Sequence, residues 1–281
     1  MTPTSQAPTR PAGLDELQRA WRAVQAGDFR VRSTRDGVRA APPRRTSPQP
    51  STWEPDGPVL PVIGCLPQAG TTTIALAIAT AVGDARVVEC CPATASGLIA
   101  ASTAELGTSA SGWALGRRDR VGIARTIGLH RAIDELPAPG VPAARTDLTV
   151  LDVGWDLGQV LRTPGWVRDQ VTGADDVVVV TTATVPGLRR LETALMLLDR
   201  ASALVAVRGP DRRRWPGWLA AALGPGGRAA HRTGRLLVVP HDKHLALAGI
   251  EPAPLPASLL RAAEDLRRRT GAGSDREKGL S

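Results

Sequence analysis

The sequence predicts a doubly wound α/β domain: a mostly parallel sheet with helices on both faces. Three observations lead there. Six short apolar runs are continuous rather than alternating, as strands buried on both faces are. Helix-compatible segments separate most of them, which gives a β–α alternation. The alternation is flanked by a Pro-, Ser-, Thr- and Arg-rich stretch before it and a polar tail after it.

Residues 1–57 read as a flexible arm, with APPRRTSPQPSTWEPDGP as its clearest linker. One amphipathic helix is expected within it at about 13–28, where Leu14, Leu17, Ala20, Trp21 and Val24 recur at spacings of three and four. That helix either docks on the main domain or binds a partner or a second copy, and both readings stay open. The α/β domain spans 58–270. Its strands are read at Val59–Gly64, Arg86–Cys90, Leu148–Asp152, Asp176–Thr181, Ala203–Val207 and Arg235–Pro240. A helix apolar nearly all round is read at Thr71–Val82, and others at 157–172, 186–200, 214–223 and 255–270. An insertion, 98–146, interrupts the alternation. A helix is expected at Leu98–Leu106, a hairpin pairing Trp113–Arg118 with Val121–Ile127, and a Pro-rich loop at Leu136–Arg145. Residues 271–281 read as a disordered tail. A ligand of such a sheet sits beyond the carboxyl ends of its strands.

Composition excludes several chemistries. A chain of 281 residues can bury a substantial core. With seven Trp, one Phe and no Tyr, that core is built from Ala, Val and Leu. Of 35 Lys and Arg residues, only Lys243 and Lys278 are lysines, so residues 1–242 hold none. A phosphate-loop lysine, a Schiff base and a catalytic lysine base are thereby excluded from that stretch. Arg in place of Lys, with much Ala, Gly and Pro, resembles the coding bias of a GC-rich genome. The arginine count alone is therefore no nucleic-acid signature, although a net charge of +8 permits contact with an acidic polymer. Cys65, Cys90 and Cys91 form neither a disulfide framework nor a C-x-x-C zinc pair. The adjacent pair Cys90-Cys91 reads as small buried residues in preference to a redox couple. His241 and His244 flank Asp242-Lys243 without further metal ligands. No signal-peptide run and no membrane-spanning stretch are present, so the expected location is the cytoplasm.

The segment PVIGCLPQAGTTTIALAIA joins a strand to a helix start through a Gly-containing loop, the ingredients of a phosphate site. It resembles the ParA/MinD family of P-loop ATPases, whose deviant Walker A loop reads K-G-G-x-G-K-T-T. Alignment on Gly70 puts Leu66 and Thr71 at the two family lysines, and Pro67 and Gln68 at two glycines. Thr72 falls on the hydroxyl that holds Mg²⁺ in the family, with Thr73 beside it. RVVECCPATASG is similar to the second strand and switch I, with Glu89 at the first acidic position and Cys91 at the second. DLTVLDVGWDLG resembles the Walker B and switch II stretch, with Asp152 at the metal-associated carboxylate and Gly154-Trp155 in place of a Pro-rich pair. The fifth strand ends in Arg208 where the family has a base-reading Asn. The resemblance covers residues 59–269.

The resemblance implies an ATP- and Mg²⁺-binding positioning or partition protein. The departures from it imply that hydrolysis has been lost. The loop itself contains no arginine to replace the lysine, and Pro67 removes one amide donor. A weak anion site at Gln68, Ala69, Gly70, Thr71, Thr72 and Thr73 would remain, with Thr72 and Asp152 on a metal. The expected function is a degenerate, non-hydrolysing adaptor or positioning factor in plasmid maintenance, conjugative transfer or secretion. It would require no cofactor and would act through a protein partner or as a homodimer. One alternative is an ATP-binding, weakly hydrolysing partition ATPase in which Glu89 and Asp152 take part in catalysis. Another is a nonspecific DNA-binding module using arginine clusters, with Arg212, Arg213, Arg214 and Arg232 as contacts beside Trp215 and Trp218.

Overall fold

The structure, a computed structural model, describes residues 52–142, 145–199 and 203–270. The helix expected at 13–28, most of the arm and the 271–281 tail lie outside the described residues.

Among the described residues nine strands form one sheet. In chain order they are β1 (Val59–Gly64), β2 (Ala85–Cys90), β3 (Ala104–Thr108), β4 (Trp113–Arg118), β5 (Val121–Thr126), β6 (Leu148–Val153), β7 (Val178–Thr182), β8 (Leu204–Gly209) and β9 (Leu236–Pro240). Their spatial order is β3-β4-β5-β2-β6-β1-β7-β8-β9. Every neighbouring pair from β5 through β9 is parallel, and β3 and β4 pair antiparallel at one edge. The helices are α1 (Thr71–Val82), α2 (Leu157–Arg162), α3 (Trp166–Gly173), α4 (Val185–Leu198), α5 (Gly217–Ala221), α6 (Pro225–Arg232), α7 (Lys243–Ala248) and α8 (Ala257–Arg267).

The continuous apolar runs follow from this layering. Successive residues of a strand face opposite sides, so both sides need apolar residues. Leu60, Val62, Val87, Val150 and Val180 pack on one side with α1 and α8. Ile63, Val88, Leu151, Val153 and Val179 pack on the other with residues of α2, α3 and α4. Helix α1 is apolar all round because it lies between the sheet and α8, with Ile74 through Ala79 fully buried.

The tryptophans supply the large volumes that Phe and Tyr do not. Trp113 and Trp166 are fully buried, and their indole nitrogens donate to Ala138 O at 3.3 Å and Leu136 O at 3.1 Å. The Pro-rich loop is thereby tied to the domain. Trp53, in the segment read as linker, packs edge-on against Trp166 with ring centroids 5.3 Å apart.

Three expected helices need correction. Leu98–Leu106 is a turn followed by β3, because Thr103 N donates to Arg117 O at 2.8 Å and draws the segment into the ladder with β4. Tertiary pairing overrides local preference there. The helix at 157–172 is divided into α2 and α3 by Thr163-Pro164-Gly165, where Pro164 has no amide to donate and Gly165 sits at φ 148°. The helix at 214–223 shrinks to α5, preceded by a 3₁₀ turn at Arg212–Arg214 and Pro216. The expected hairpin is present as β4–β5, and β5 extends the sheet by pairing parallel to β2.

Candidate functional site

Helix α1 starts directly below the carboxyl end of β1, where the loop from Cys65 to Gly70 turns the chain. Gly70 caps the helix at φ 96°, a conformation open to glycine, and no side chain caps the helix. The first-turn amides of such a helix lack intrahelical acceptors and carry the positive end of its dipole. Leu66 packs against the core beside α1, Pro67 is exposed, and Ala69 is buried. Thr71 folds back under the loop: a Cβ built on Gly64 would lie 2.5 Å from its Oγ1.

Gln68 stands at φ 61°, which for a non-glycine residue costs roughly 1–2 kcal/mol. The compensating contact comes from 140 residues away in sequence. Arg208, at the carboxyl end of β8, donates Nη2 to Gln68 O at 2.7 Å. Its side chain lies along Gly70, where a built Cβ would be 3.3 Å from Arg208 Cδ and 3.4 Å from Nη1. A hydrogen bond from a charged donor contributes about 1.5–3 kcal/mol, enough to offset the backbone strain. The loop contains no arginine of its own; the parallel order β1-β7-β8 brings this one in. Partial burial lowers the Arg208 pKa, and a guanidinium stays charged at neutral pH regardless. Arg208 also lines a small crevice with Gly70, Thr73, Pro240, Asp242 and Leu245.

The two candidate acids are register partners on adjacent strands, Glu89 on β2 and Asp152 on β6. Asp152 is 1% exposed, and its Oδ1 has no hydrogen-bond partner. Burial pushes its carboxyl up to about 7; the Thr72 hydroxyl bonded to it opposes this, and the nearby Glu89 charge adds to it. Glu89 is 3% exposed and fully engaged. It accepts from Ser96 Oγ at 2.8 Å, Gly97 N at 2.8 Å and Leu98 N at 2.9 Å. These bonds set Gly97 against α1, where a built Cβ would lie 3.1 Å from Thr72 Cγ2. Gly154 is equally confined: a built Cβ would lie 2.5 Å from Cys91 Cβ. Trp155 follows, 7% exposed, with its indole N–H buried and unpartnered.

Thr72 and Asp152 suit a divalent cation, since both offer hard oxygen donors and one buried carboxylate oxygen has no partner. The fit to a transferring phosphate is poorer. Leu66 and Thr71 supply no charge, and the guanidinium that reaches the loop is bonded to a carbonyl of the loop itself.

The other candidates separate clearly. The Cys90 and Cys91 thiols are buried and their pKa values are raised by desolvation, and Cys65 is pushed up to about 12 for the same reason. Protonated thiols are poor nucleophiles. Among the described residues no group of three or more His, Cys, Asp and Glu is placed to hold a metal, so His241 and His244 form no such site. Several arginines of the insertion are structural. Arg118 is buried and donates to Ala101 O at 3.2 Å, to Glu251 O at 2.7 Å and to Ala253 O. Arg120 pairs with Asp84, and Arg125 with Glu105 at 3.3 Å. Arg235 pairs with Asp176 at 2.5 Å. Arg212 lies over the Trp215 ring at 5.5 Å. Arg213, Arg214 and Arg232 are exposed, as is Trp218 at 67%. No helix among the described residues is long and apolar enough to cross a membrane.

No protein-family model matches the chain, and no curated protein matches it. Solved structures do. Apo McdA from Cyanthece is 12% identical, with 76% of this chain and 99% of that chain covered and a TM-score of 0.52. MinD in the MinC:MinD cell division complex of Aquifex aeolicus is 16% identical, covering 75% and 95%, with a TM-score of 0.49. The Pyrococcus furiosus cell division ATPase MinD is 14% identical, covering 80% and 100%, with a TM-score of 0.47. At these identities the likeness is one of fold. The mostly parallel sheet with helices on both faces is the ParA/MinD-like P-loop ATPase fold.

Proposed function

We propose that this chain is a non-hydrolysing positioning factor or adaptor, a P-loop fold used as a scaffold for a protein partner or a second copy. The setting, in plasmid maintenance, conjugative transfer or secretion within the cytoplasm, comes from the family resemblance. The observation that carries the reading is the state of the loop. Phosphoryl transfer depends mainly on positioning and on charge aimed at the transferring group. Residues 1–242 supply no lysine ammonium, and Arg208 is held on Gln68 O at 2.7 Å. Glu89, at the family's first acidic position, is occupied by three hydrogen bonds from 96–98. Mg²⁺, when bound at Thr72 and Asp152, would neutralise phosphate charge, while Arg208 and Glu89 are already engaged within the chain. Purified protein incubated with ATP and Mg²⁺ is expected to release phosphate at the uncatalysed rate and to bind ATP in the millimolar range or weaker. Turnover that Asp152→Ala abolishes would overturn the reading in favour of a partition ATPase.

Contact with DNA is a second reading, supported by the exposed Arg213, Arg214 and Trp218 beyond β8. Binding through phosphates predicts an affinity that falls steeply with ionic strength. No mobility shift at low salt would remove it.

A further inference from the structure

We propose that the chain locks its own phosphate loop from two sides, Arg208 holding it from β8 and Glu89 from β2, so that the conformation of the α1 amino terminus needs no nucleotide. This deepens the non-hydrolysing reading and rests on it.

Two independent contacts converge on one helix end. On the β8 side, Arg208 holds Gln68 O at 2.7 Å and lies along Gly70. One donor of the guanidinium is thus engaged by the loop, and it holds Gln68 at φ 61°. On the β2 side, the Glu89 carboxylate gathers Ser96 Oγ, Gly97 N and Leu98 N at 2.8–2.9 Å. The gathered segment rests on Thr72, with a Cβ built on Gly97 only 3.3 Å from Thr72 Oγ1. Beneath it Asp152 is bonded to Thr72 and shut away from solvent. A polyphosphate reaching this helix end would have to draw Arg208 off the Gln68 carbonyl. A cation travelling with it would have to lift 96–98 to reach Thr72 and Asp152.

The consequence is a surface that does not respond to nucleotide. A partner would meet the same loop conformation whether or not ATP is present, which suits an adaptor and not a switch.

The test compares ATP–Mg²⁺ binding by calorimetry in the full chain with Arg208→Ala, Glu89→Ala and the double variant, with phosphate release followed in parallel. If each contact by itself leaves the competent state populated about one part in ten, removing that contact tightens apparent affinity about tenfold relative to wild type. The double variant should bind tighter than either. Unchanged affinity in the single variants would overturn the lock. So would weaker binding by Arg208→Ala, which would make Arg208 a ligand of the phosphate. Phosphate release by an unlocked variant would sink the non-hydrolysing reading and leave the lock standing. If a variant does not fold, hydrogen exchange on the wild type decides. The amides of Gly97 and Leu98 should exchange slowly without nucleotide, and exchange at the unprotected rate would overturn the proposal.

Discussion

Asp152→Asn is expected to stabilise the protein, and to do so more strongly as pH rises. The Asp152 carboxyl moves from an ordinary 3.8 to about 7 on folding, chiefly because it is buried. Between those values the folded chain holds a proton that the unfolded chain has released. Stability therefore falls as pH rises through this window, and the whole penalty is present above about 7. At 1.36 kcal/mol per pH unit the ceiling is about 4 kcal/mol. Asparagine keeps the size and keeps a partner for the Thr72 hydroxyl, but it has no proton to lose. Urea denaturation followed by circular dichroism, with a chelator present, measures both proteins between about pH 5 and about pH 8.5. Subtracting one curve from the other cancels every other titrating group. The difference should already favour the variant at the acidic end, grow as pH rises and level off above about pH 7. A difference that stays flat across the range would refute the argument that Asp152 is a desolvated, unpaired carboxyl.

Arg118→Met should destabilise by about 2–4 kcal/mol, because the carbonyls of Ala101, Glu251 and Ala253 lose their shared donor; a melting temperature within a degree of wild type would contradict this. In Gly154→Ala the new Cβ meets Cys91 Cβ at 2.5 Å, so a loss of about 1–3 kcal/mol is expected. Adding Cys91→Gly should recover part of it, and no recovery would place the clash elsewhere. Cys90 and Cys91 should resist a thiol reagent at neutral pH and react once urea unfolds the chain; rapid native labelling would show that burial does not control them.

The strands were legible because a sheet covered on both sides demands apolar residues at every position, and β1, β6, β7 and β8 each carry such a run. Helix ends were less so. Thr163-Pro164-Gly165 divides α2 from α3 through backbone effects that a periodicity reading smooths over. The segment after Leu98 took its conformation from β4, a partner that local preference does not register. The candidate site divides in the same way. Gly70, Thr72, Glu89 and Asp152 could be placed by motif spacing, and the structure brings Thr72, Glu89 and Asp152 together. Arg208 could not be assigned to the loop, since only the pairing order β1-β7-β8 sets β8 beside it. The engagement of Glu89 was hidden for a different reason: its partners are two backbone amides and a serine hydroxyl, groups that carry no sequence signature.

Helix α8 covers α1 with Leu259, Ala262, Ala263 and Leu266, and it is the last helix among the described residues. During synthesis, then, the apolar side of α1 emerges early and waits for nearly the whole domain before its cover is made. A nascent chain in that interval exposes a face rich in Ile, Leu and Ala, the kind of surface that chaperones shield. A truncation ahead of Ala257 would make the interval permanent, giving a product prone to aggregate and not a shortened working protein.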